Sequence, residues 1–514
     1  MNILHQHAGT VAELILSSIQ RYESRPAFIG DDHRITYGEL GDLIYRTARY
    51  LDSLGLQPGD AVVQLATNRH EFFALAMALF IKGLVSVTLH ATGSAADHAY
   101  IVNDCKAKVL IFDSSYHERA TYLGQHCPGL QGMASFGDCE GHTNMLQVVQ
   151  QQSQAPQSVH GDAETVIRLA YTGGTTGKPK GVMLSNRALL TNTLIDLAVK
   201  DLPEHIRYLC VAPITHGGGS MLLPTLARGG SVTLLKKFTP DAFFDALAQH
   251  RCNTTWMVPT MLYALLDHPR SRTVDWSHFD CLVYSAAPTI AARIREAMQV
   301  IGPKLVQSYG QTEAPNSIFI LNKQDHIALS HGDITATGRA SPFLSVSIKD
   351  DQGQPVAAGE RGEVCVRGPL VMSGYYQLPD ATQQALQGDW LHTGDVAYQD
   401  AQGFFHIVDR KKDMIISGGF NVYPKEVEDV IGAHPDVAAV AVVGLPDSKW
   451  GELVTACIVP KLGAQLDTAS IQQLVRDAKG AVAAPKRVDI VDTLPLTALG
   501  KIDKKQLRLD LAHA

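Results

Sequence analysis

A loop rich in glycine, threonine and lysine constrains the fold of this chain more than any other segment. Residues 171–181 read Y-T-G-G-T-T-G-K-P-K-G and follow the mainly apolar residues 166–170. Glycine lets backbone N–H groups approach an anion, threonine donates hydrogen bonds and lysine adds positive charge, so this composition suits a polyphosphate. A P-loop requires G-x-x-x-x-G-K-[ST], whereas Thr172 stands at its first glycine position and Pro179 follows Lys178. The sequence therefore predicts a phosphate loop outside the P-loop fold.

Length and composition indicate a large globular chain. Its 514 residues are 45% hydrophobic and 18% charged, which is typical of chains with buried cores and, by length, of several domains. The net charge of -7 gives no reason to expect a nucleic acid partner. The eight cysteines occur singly without a C-x-x-C pair, as expected for reduced thiols in the cytoplasm.

The sequence contains no recognisable export signal or membrane span. Residues 1–20 lack a basic segment and a small-residue cleavage site. The most apolar stretch, 72–89, is interrupted by Lys82 and Gly83, so it predicts a buried helix that ends at Gly83 before a strand over 84–87. We expect a soluble, cytoplasmic protein, and the sequence is compatible with a homodimer.

The order of apolar patterns predicts a multidomain α/β fold. Strand-like runs such as 61–65 and 109–112 alternate with helical patterns, which favours layered sheets and helices in a large N-terminal domain. Short strands between Gly and Asp turns indicate a β subdomain over roughly 332–409. The charge run 409–413 is either a solvated turn or a domain boundary, and a separate β-α-β-β pattern follows it.

Further motifs carry polar groups that suit a nucleotide. Residues 308–313, S-Y-G-Q-T-E, follow a predicted strand and supply an aromatic ring, a hydroxyl and a carboxylate able to hold Mg²⁺. Asp395 could bond a ribose diol, although an Asp after Gly is more often a turn residue. Lys501, which follows Gly500, is a surface lysine when taken alone. Each motif by itself is compatible with an ordinary loop.

In combination these segments resemble the AMP-forming adenylating superfamily, which contains acyl-CoA synthetases, peptide-synthetase adenylation domains and beetle luciferases. Five motifs match its order, at 171–181, 308–313, 392–395, 409–419 and 500–501, so the resemblance covers essentially the whole chain. It implies that a carboxylate oxygen attacks the α-phosphorus of ATP and expels pyrophosphate, and that a thiol then displaces AMP. Both reactants of the first step are anionic, so electrostatic stabilisation should carry much of the catalysis. The implied cofactors are ATP, Mg²⁺ and coenzyme A, and the implied partner is a small carboxylic acid.

The resemblance also implies a role for each motif. The loop would hold the β- and γ-phosphates, Tyr309 and the turn 286–288 would enclose the adenine, and Asp395 with Arg410 would bind the ribose hydroxyls. The implied nucleotide- and cofactor-binding residues are Thr172, Gly173, Gly174, Thr175, Thr176, Gly177, Lys178, Lys180, Ala286, Ala287, Pro288, Tyr309, Gly310, Gln311, Asp395, Arg410, Gly418 and Gly419.

Catalysis and domain movement are implied by the same resemblance. Lys501 would bridge the attacking carboxylate and the α-phosphate, and Lys412 would be the pivot that withdraws it. The implied catalytic residues are Lys501, Glu313, Thr312 and His216, and the implied metal ligands are Glu313 and Thr176. The expected division is an N-terminal domain over 1–409, a hinge over 410–412 and a mobile C-terminal α+β domain over 413–514. After the swing, Gly418 and Gly419 would let a pantetheine arm pass close to the backbone.

Residues 212–220, A-P-I-T-H-G-G-G-S, resemble the acyl-pocket motif of the superfamily. Peptide-synthetase domains place an Asp here, and its lack over 212–223 argues against an amino acid substrate. His216 is expected to gate the pocket, with a buried, hydrogen-bonded histidine as the alternative. The three glycines predict open volume, which suits a fatty or bulky aryl or alicyclic acid better than acetate. The predicted pocket residues are His216, Gly217, Gly218, Ser220, Val258, Tyr284 and Ser285.

The thiol acceptor is predicted to be free CoA. The β subdomain lacks the insertion that carrier-protein-loading relatives have before the hinge. Alanines 483 and 484 stand where relatives often have a basic pair that meets the CoA nucleotide, so its binding mode stays open. A stand-alone enzyme that loads a carrier protein is the alternative. A non-catalytic nucleotide-binding relative is a third, disfavoured because Glu313, Asp395, Arg410 and Lys501 occur together.

Overall fold

Two large sheets with helices between and around them make up most of the chain in a computed structural model. The structure describes residues 9–30, 34–172, 178–332, 334–497 and 502–512. The fold class is mixed α/β, as predicted from the alternation of apolar patterns.

The first sheet is parallel in its centre and antiparallel at both edges. Over the described residues it has nine strands, in spatial order Arg339–Ala340, Ala314–Leu321, Leu305–Gln311, Cys281–Ser285, Thr254–Met257, Arg207–Cys210, Ser231–Leu234, Pro26–Ile29 and Arg34–Thr36. The second sheet has eight in the same ranges, in the order Gly374–Tyr375, Lys180–Ser185, Val166–Thr172, Val85–Thr88, Ala61–Leu65, Val109–Asp113, Gly132–Phe136 and Thr143–Asn144.

Two smaller sheets follow along the chain. The third is antiparallel and comprises Ser345–Lys349, Gly362–Arg367, Leu386–Gln387, Trp390–Gln399 and Phe405–Arg410. It falls within the region predicted to be mainly β. The fourth comprises Ile415–Ser417, Phe420–Val422, Val437–Asp447, Gly451–Pro460 and Arg487–Ile490. The predicted β-α-β-β pattern accounts for its first, third and fourth strands and for helix Pro424–Gly432, whereas Phe420–Val422 and Arg487–Ile490 were not predicted.

Helices cover the sheets on both faces. The α-helices are Val11–Arg21, Tyr37–Ser53, His70–Ile81, Ala95–Asp104, His117–His126, Met145–Gln150, Asn186–Val199, Leu222–Ala227, Pro240–His250, Pro259–Asp267, Ala291–Ile301, Lys323–Leu329, Pro379–Ala385, Pro424–Gly432, Thr468–Lys479 and Lys504–Ala512. Short 3₁₀ segments occur at Ser114–Tyr116, Gly217–Met221 and Pro269–Arg272.

The main apolar core lies between the two large sheets. It joins inward residues of both, such as Val62 and Val232, with helix residues such as Phe72 and Leu75. The apolar stretch 72–89 forms helix His70–Ile81, a turn at Gly83 with φ of +66° and strand Val85–Thr88, which confirms the prediction. Of the helices that the structure describes, none is both long and apolar enough to cross a membrane.

Candidate active site

The predicted phosphate loop connects two antiparallel strands. Tyr171 pairs with Gly181 and Thr172 with Lys180 across the hairpin. The Tyr171 ring fills the space beside Gly181, where an added Cβ would lie 3.0 Å from the ring, and its hydroxyl donates to Asp104 Oδ2 at 2.6 Å. A strand thus follows the loop where a P-loop has a helix, so the exclusion of the P-loop fold is confirmed.

Two lysines flank this loop on aromatic rings. Lys178 Nζ lies 5.3 Å from the centroid of the Tyr100 ring, and Lys180 Nζ lies 4.9 Å from that of Tyr375. Both ammonium groups therefore lie beside the predicted loop, where they could attract an anion. The remaining predicted loop residues lie outside the described residues; they are Gly173, Gly174, Thr175, Thr176 and Gly177.

Glu313 lies near Lys180 of this pair. It occupies the turn between strands Leu305–Gln311 and Ala314–Leu321 after Thr312, and it is 9% exposed. The Tyr375 hydroxyl donates to Glu313 Oε1 at 2.7 Å, so one tyrosine contacts both the carboxylate and Lys180. Sequence reasoning missed Tyr375, because no local motif indicates a contact with a residue 62 positions away.

A single carboxylate of this kind fits one mode of Mg²⁺ binding. Magnesium usually keeps waters and binds through one or two carboxylates plus substrate phosphates. Across the described residues, no cluster of three or more His, Cys, Asp or Glu side chains could hold a metal by itself. Glu313 beside the hairpin therefore suits a metal that arrives with a nucleotide.

A cluster of charged and aromatic groups forms where the third sheet meets the first. Asp395 and Arg410 are direct partners across two antiparallel strands, and Arg410 Nε lies 3.2 Å from Asp395 Oδ1. The Tyr309 hydroxyl donates to Asp395 Oδ2 at 2.5 Å. Burial raises the pKa of Asp395, while Arg410 and the Tyr309 hydroxyl oppose that rise by favouring the carboxylate. The structure thus brings together three residues predicted for one nucleotide.

The predicted adenine-binding segments leave neighbouring parallel strands at the same edge of the first sheet. Ser285 pairs with Ser308 and donates from Oγ to the Ser308 carbonyl at 2.6 Å, so residues 286–288 lie next to Tyr309. Ala286 has a φ of +76°, which is rare for a residue with a Cβ. The Tyr309 ring stacks on Phe319 with centroids 5.2 Å apart. The next predicted residues are also fixed: Gly310 packs on the backbone of Asn316, and Gln311 Nε2 donates to the Thr393 carbonyl at 3.4 Å.

The predicted acyl-pocket segment crosses the layer between the two large sheets. His216 Nδ1 lies 3.0 Å from Thr215 Oγ1, and its ring meets that of His90 edge to face, with centroids 4.5 Å apart. Ser220 Oγ donates to the Gly217 carbonyl at 2.7 Å. Val258 is buried, and the buried Tyr284 directs its hydroxyl to Gln307 and His326. Their contribution to a pocket stays a prediction.

The three glycines of this segment do not leave open volume. A Cβ at Gly217 would lie 2.0 Å from Cη2 of the Trp256 ring, and one at Gly218 would lie 2.3 Å from the Ala212 carbonyl oxygen. Gly219 is equally close to the Ile214 carbonyl, at 2.1 Å. The segment turns back on itself as a 3₁₀ helix, and glycine is what allows that close approach. The expectation of free space beside the glycines was therefore wrong.

The residues beyond Asp409 form the remaining predicted parts. Gly418 and Gly419 both have positive φ, and they form the turn of an exposed hairpin in which Phe420 is 63% exposed. Lys412 lies in the turn after strand Phe405–Arg410, and burial lowers its pKa. Lys501 lies outside the described residues, and helix Lys504–Ala512 follows it.

Comparison with known proteins identifies relatives along the whole chain. The family described as AMP-binding enzyme matches residues 16–376, and the AMP-binding enzyme C-terminal domain matches 426–501. The medium/long-chain fatty-acid–CoA ligase FadD8 of Mycobacterium tuberculosis is 42% identical over 510 residues, which cover 96% of this chain and 89% of that protein. A feruloyl-CoA synthase of Amycolatopsis sp is 36% identical, over 92% of this chain and 93% of that one. The amide bond synthetase McbA of Marinactinospora thermotolerans superposes with a TM-score of 0.90 at 33% identity, over 97% of this chain and 99% of the other.

Proposed function

The chain belongs to the AMP-binding enzyme family, and we propose that it is an ATP-dependent ligase that joins a fatty or bulky aryl or alicyclic acid to CoA. The observation that carries this function is the meeting of Tyr309, Asp395 and Arg410 at one edge of the first sheet. A ribose with adjacent hydroxyls suits a buried carboxylate that is already ordered by two donors. The lysines of the hairpin and Glu313 would then bind the phosphates of that nucleotide and their metal ion.

The reaction has two steps that share this site. A carboxylate oxygen of the acid attacks the α-phosphorus, the bond between the α-phosphorus and the bridging oxygen breaks, and pyrophosphate leaves with its electron pair. The thiolate of CoA then attacks the acyl carbon and AMP leaves. Lys180 and Lys178 would offset the charge of the departing pyrophosphate, and Lys501 would offset that of the attacking carboxylate. Mg²⁺, when held by Glu313 with Thr176, would neutralise phosphate charge.

Two of the named relatives support the proposed acyl group and acceptor. FadD8 acts on medium- and long-chain fatty acids and the Amycolatopsis enzyme on ferulic acid, and both form CoA thioesters. The glycines offer no support for a large pocket, so the bulky acid rests on these relatives alone. Cytoplasmic localisation stays a prediction. The sequence is compatible with a homodimer, and light scattering on the purified protein tests the oligomeric state.

Domain movement is part of the proposal. Residues 413–514 would swing about Lys412, so that Lys501 serves the first step and the turn at Gly418 and Gly419 faces the site in the second. One contact across the proposed boundary is the partly exposed ion pair of Arg361 with Glu426 at 2.7 Å. Such contacts are weak when exposed, which suits a boundary that opens and closes.

The first experiment measures pyrophosphate release with ATP and a panel of acids, and then acyl transfer to CoA or a pantetheinylated carrier protein, which gives a thioester, or to an amine, which gives an amide. We expect release with fatty or aryl acids and product with CoA. The proposal would be contradicted if none of the acids supported pyrophosphate release. It would also be contradicted if the carrier protein or the amine gave product and CoA did not.

Two variants test the two-step assignment. Lys501→Ala should abolish adenylate formation and spare thioester formation from supplied acyl-AMP, because its charge acts only in the first step. Lys412→Pro should do the reverse and let adenylate accumulate. Equal loss of both half-reactions in Lys501→Ala would refute the assignment of separate sites.

A further inference from the structure

Three buried hydrogen-bond donors without partners surround residues 215–217. They are Arg168 Nε, His90 Nε2 and Trp256 Nε1, and no described residue accepts a hydrogen bond from any of them. Each side chain contacts a different member of one tripeptide: Arg168 contacts Thr215, His90 contacts His216, and Trp256 contacts Gly217. Buried donors without partners are rare in proteins, and three around one short segment call for a physical explanation.

Arg168 brings positive charge into the layer between the sheets. It is the register partner of Leu184, a member of the main core, so its side chain points toward that layer. Its Nη2 donates to the Thr215 carbonyl at 2.9 Å, while its Nε has no acceptor among the described residues. Burial alone lowers the pKa of this guanidinium. A buried cation that is offset by one carbonyl is costly, and an anionic or strongly accepting ligand would relieve that cost.

His90 supplies a second donor from the end of strand Val85–Thr88. The backbone N–H of Thr92 donates to His90 Nδ1 at 3.3 Å, so Nδ1 is the accepting nitrogen and Nε2 carries the proton of the neutral ring. Burial lowers the pKa of His90, which keeps the ring neutral. Its Nε2–H therefore remains available to an acceptor beside the His216 ring.

Trp256 supplies the third donor from the opposite sheet. It is 3% exposed, and its ring atoms Cη2 and Cζ2 pack against Gly217. The indole nitrogen is two covalent bonds from Cζ2, so its N–H also lies close to residue 217. An indole nitrogen can only donate a hydrogen bond. Residues 215–217 are therefore surrounded by three N–H donors that come from two different sheets.

We propose that Arg168, His90 and Trp256 form a subsite for an acceptor oxygen, an oxo or carboxylate group, on the part of the acid remote from the carboxylate that is adenylated. This proposal rests on the function proposed above and narrows its substrate to oxo acids or dicarboxylic acids. A plain alkyl chain would leave the donors unsatisfied, whereas a guanidinium with two further N–H groups binds such oxygens well. The amide carbonyls of the pantetheine arm are the other source of the same chemistry.

The test compares matched acids in pyrophosphate release without CoA. The series are straight-chain acids, their terminal-oxo analogues and the corresponding dicarboxylic acids, together with aryl acids with and without a ring acetyl group. We expect the wild-type enzyme to favour an oxygen-bearing acid at least about tenfold in kcat/KM, as the loss of a charge-assisted hydrogen bond implies. Arg168→Met and Trp256→Phe should reduce this preference toward one, while activity on the plain acid stays within about twofold.

Control variants distinguish a binding role of the three donors from a purely structural role. Arg272→Met removes a guanidinium that is 60% exposed and should leave the preference unchanged. Thermal unfolding of each variant verifies the fold. Trp256→Phe, which removes the indole N–H but retains an aromatic ring, is the second test variant if Arg168→Met fails to fold. Equal losses on all acids, or no preference in the wild type, would overturn the subsite and assign the donors to buried water.

Two further outcomes are decisive. A loss that appears only as a higher KM for CoA, with acyl-AMP supplied, would assign the donors to the pantetheine arm and overturn the substrate proposal. If the wild-type enzyme adenylates no acid, the proposed function itself is wrong. If the wild-type enzyme adenylates plain acids and shows no Arg168-dependent preference for oxygen-bearing acids, only the subsite proposal is wrong.

Discussion

Replacing Asp395 with asparagine tests the ribose site with little change in shape. The amide oxygen can face Arg410 and the amide nitrogen can face Tyr309, whose hydroxyl accepts as well as donates. Because Arg410 is 49% exposed, the ion pair contributes little, and we expect the free energy of unfolding to fall by about 1 kcal/mol. The larger effect should fall on ATP. A charge-assisted hydrogen bond contributes about 1.5–3 kcal/mol, so losing one to the ribose should lower kcat/KM for ATP about 10- to 150-fold.

The assay is pyrophosphate release with ATP, 2′-deoxy-ATP and 3′-deoxy-ATP. The wild-type enzyme should be less active on the analogue that lacks the bonded hydroxyl than on ATP. On that analogue, the activity of Asp395→Asn should be close to the activity of the wild type. Asp400→Asn, at the far end of the same hairpin, is the matched control, because Asp400 bonds His406 and the turn. If Asp395→Asn reduces activity on all three nucleotides by the same factor, Asp395 does not contact the ribose.

Three further predictions follow from local geometry. Gly217→Ala should lower the melting temperature and acid affinity, because its Cβ would lie 2.0 Å from an indole ring; Gly129→Ala, with open space around it, should change neither. Burial depresses the pKa of His98 from 6.5 to about 4, so stability should be full above pH 6.5 and fall by about 3 kcal/mol as pH drops toward 4, as measured by denaturant unfolding. Tyr375→Phe should raise the Mg²⁺ concentration for half-maximal activity about three- to tenfold, because Glu313 loses the donor that orients it.

Local patterns in the sequence predicted much of the fold. Helix His70–Ile81, its turn at Gly83 and the following strand could be read from apolar runs and one glycine, because these signals are local. Asp395 and Arg410, which are predicted to bind one ribose, are neighbours across two strands. Their role in binding stays a prediction.

Contacts between distant segments could not be predicted in this way. Trp256 fills the space beside Gly217 from another strand, and Tyr375 reaches Glu313 across 62 positions. Neither residue carries a local signal, and both depend on how the sheets pack. For the same reason the glycine run by itself predicts open volume, whereas folding brings backbone carbonyls into that space.

In the proposed reaction a carboxylate oxygen of the acid attacks the α-phosphorus of ATP. The most direct measurement incubates the enzyme with ATP, CoA and an acid labelled with ¹⁸O in its carboxylate, and then analyses the products by mass spectrometry. We expect one labelled oxygen in the phosphate of AMP and none in pyrophosphate, because the acid oxygen stays with AMP when the thiol attacks the acyl carbon. Labelled pyrophosphate, or ADP with labelled inorganic phosphate, would contradict it.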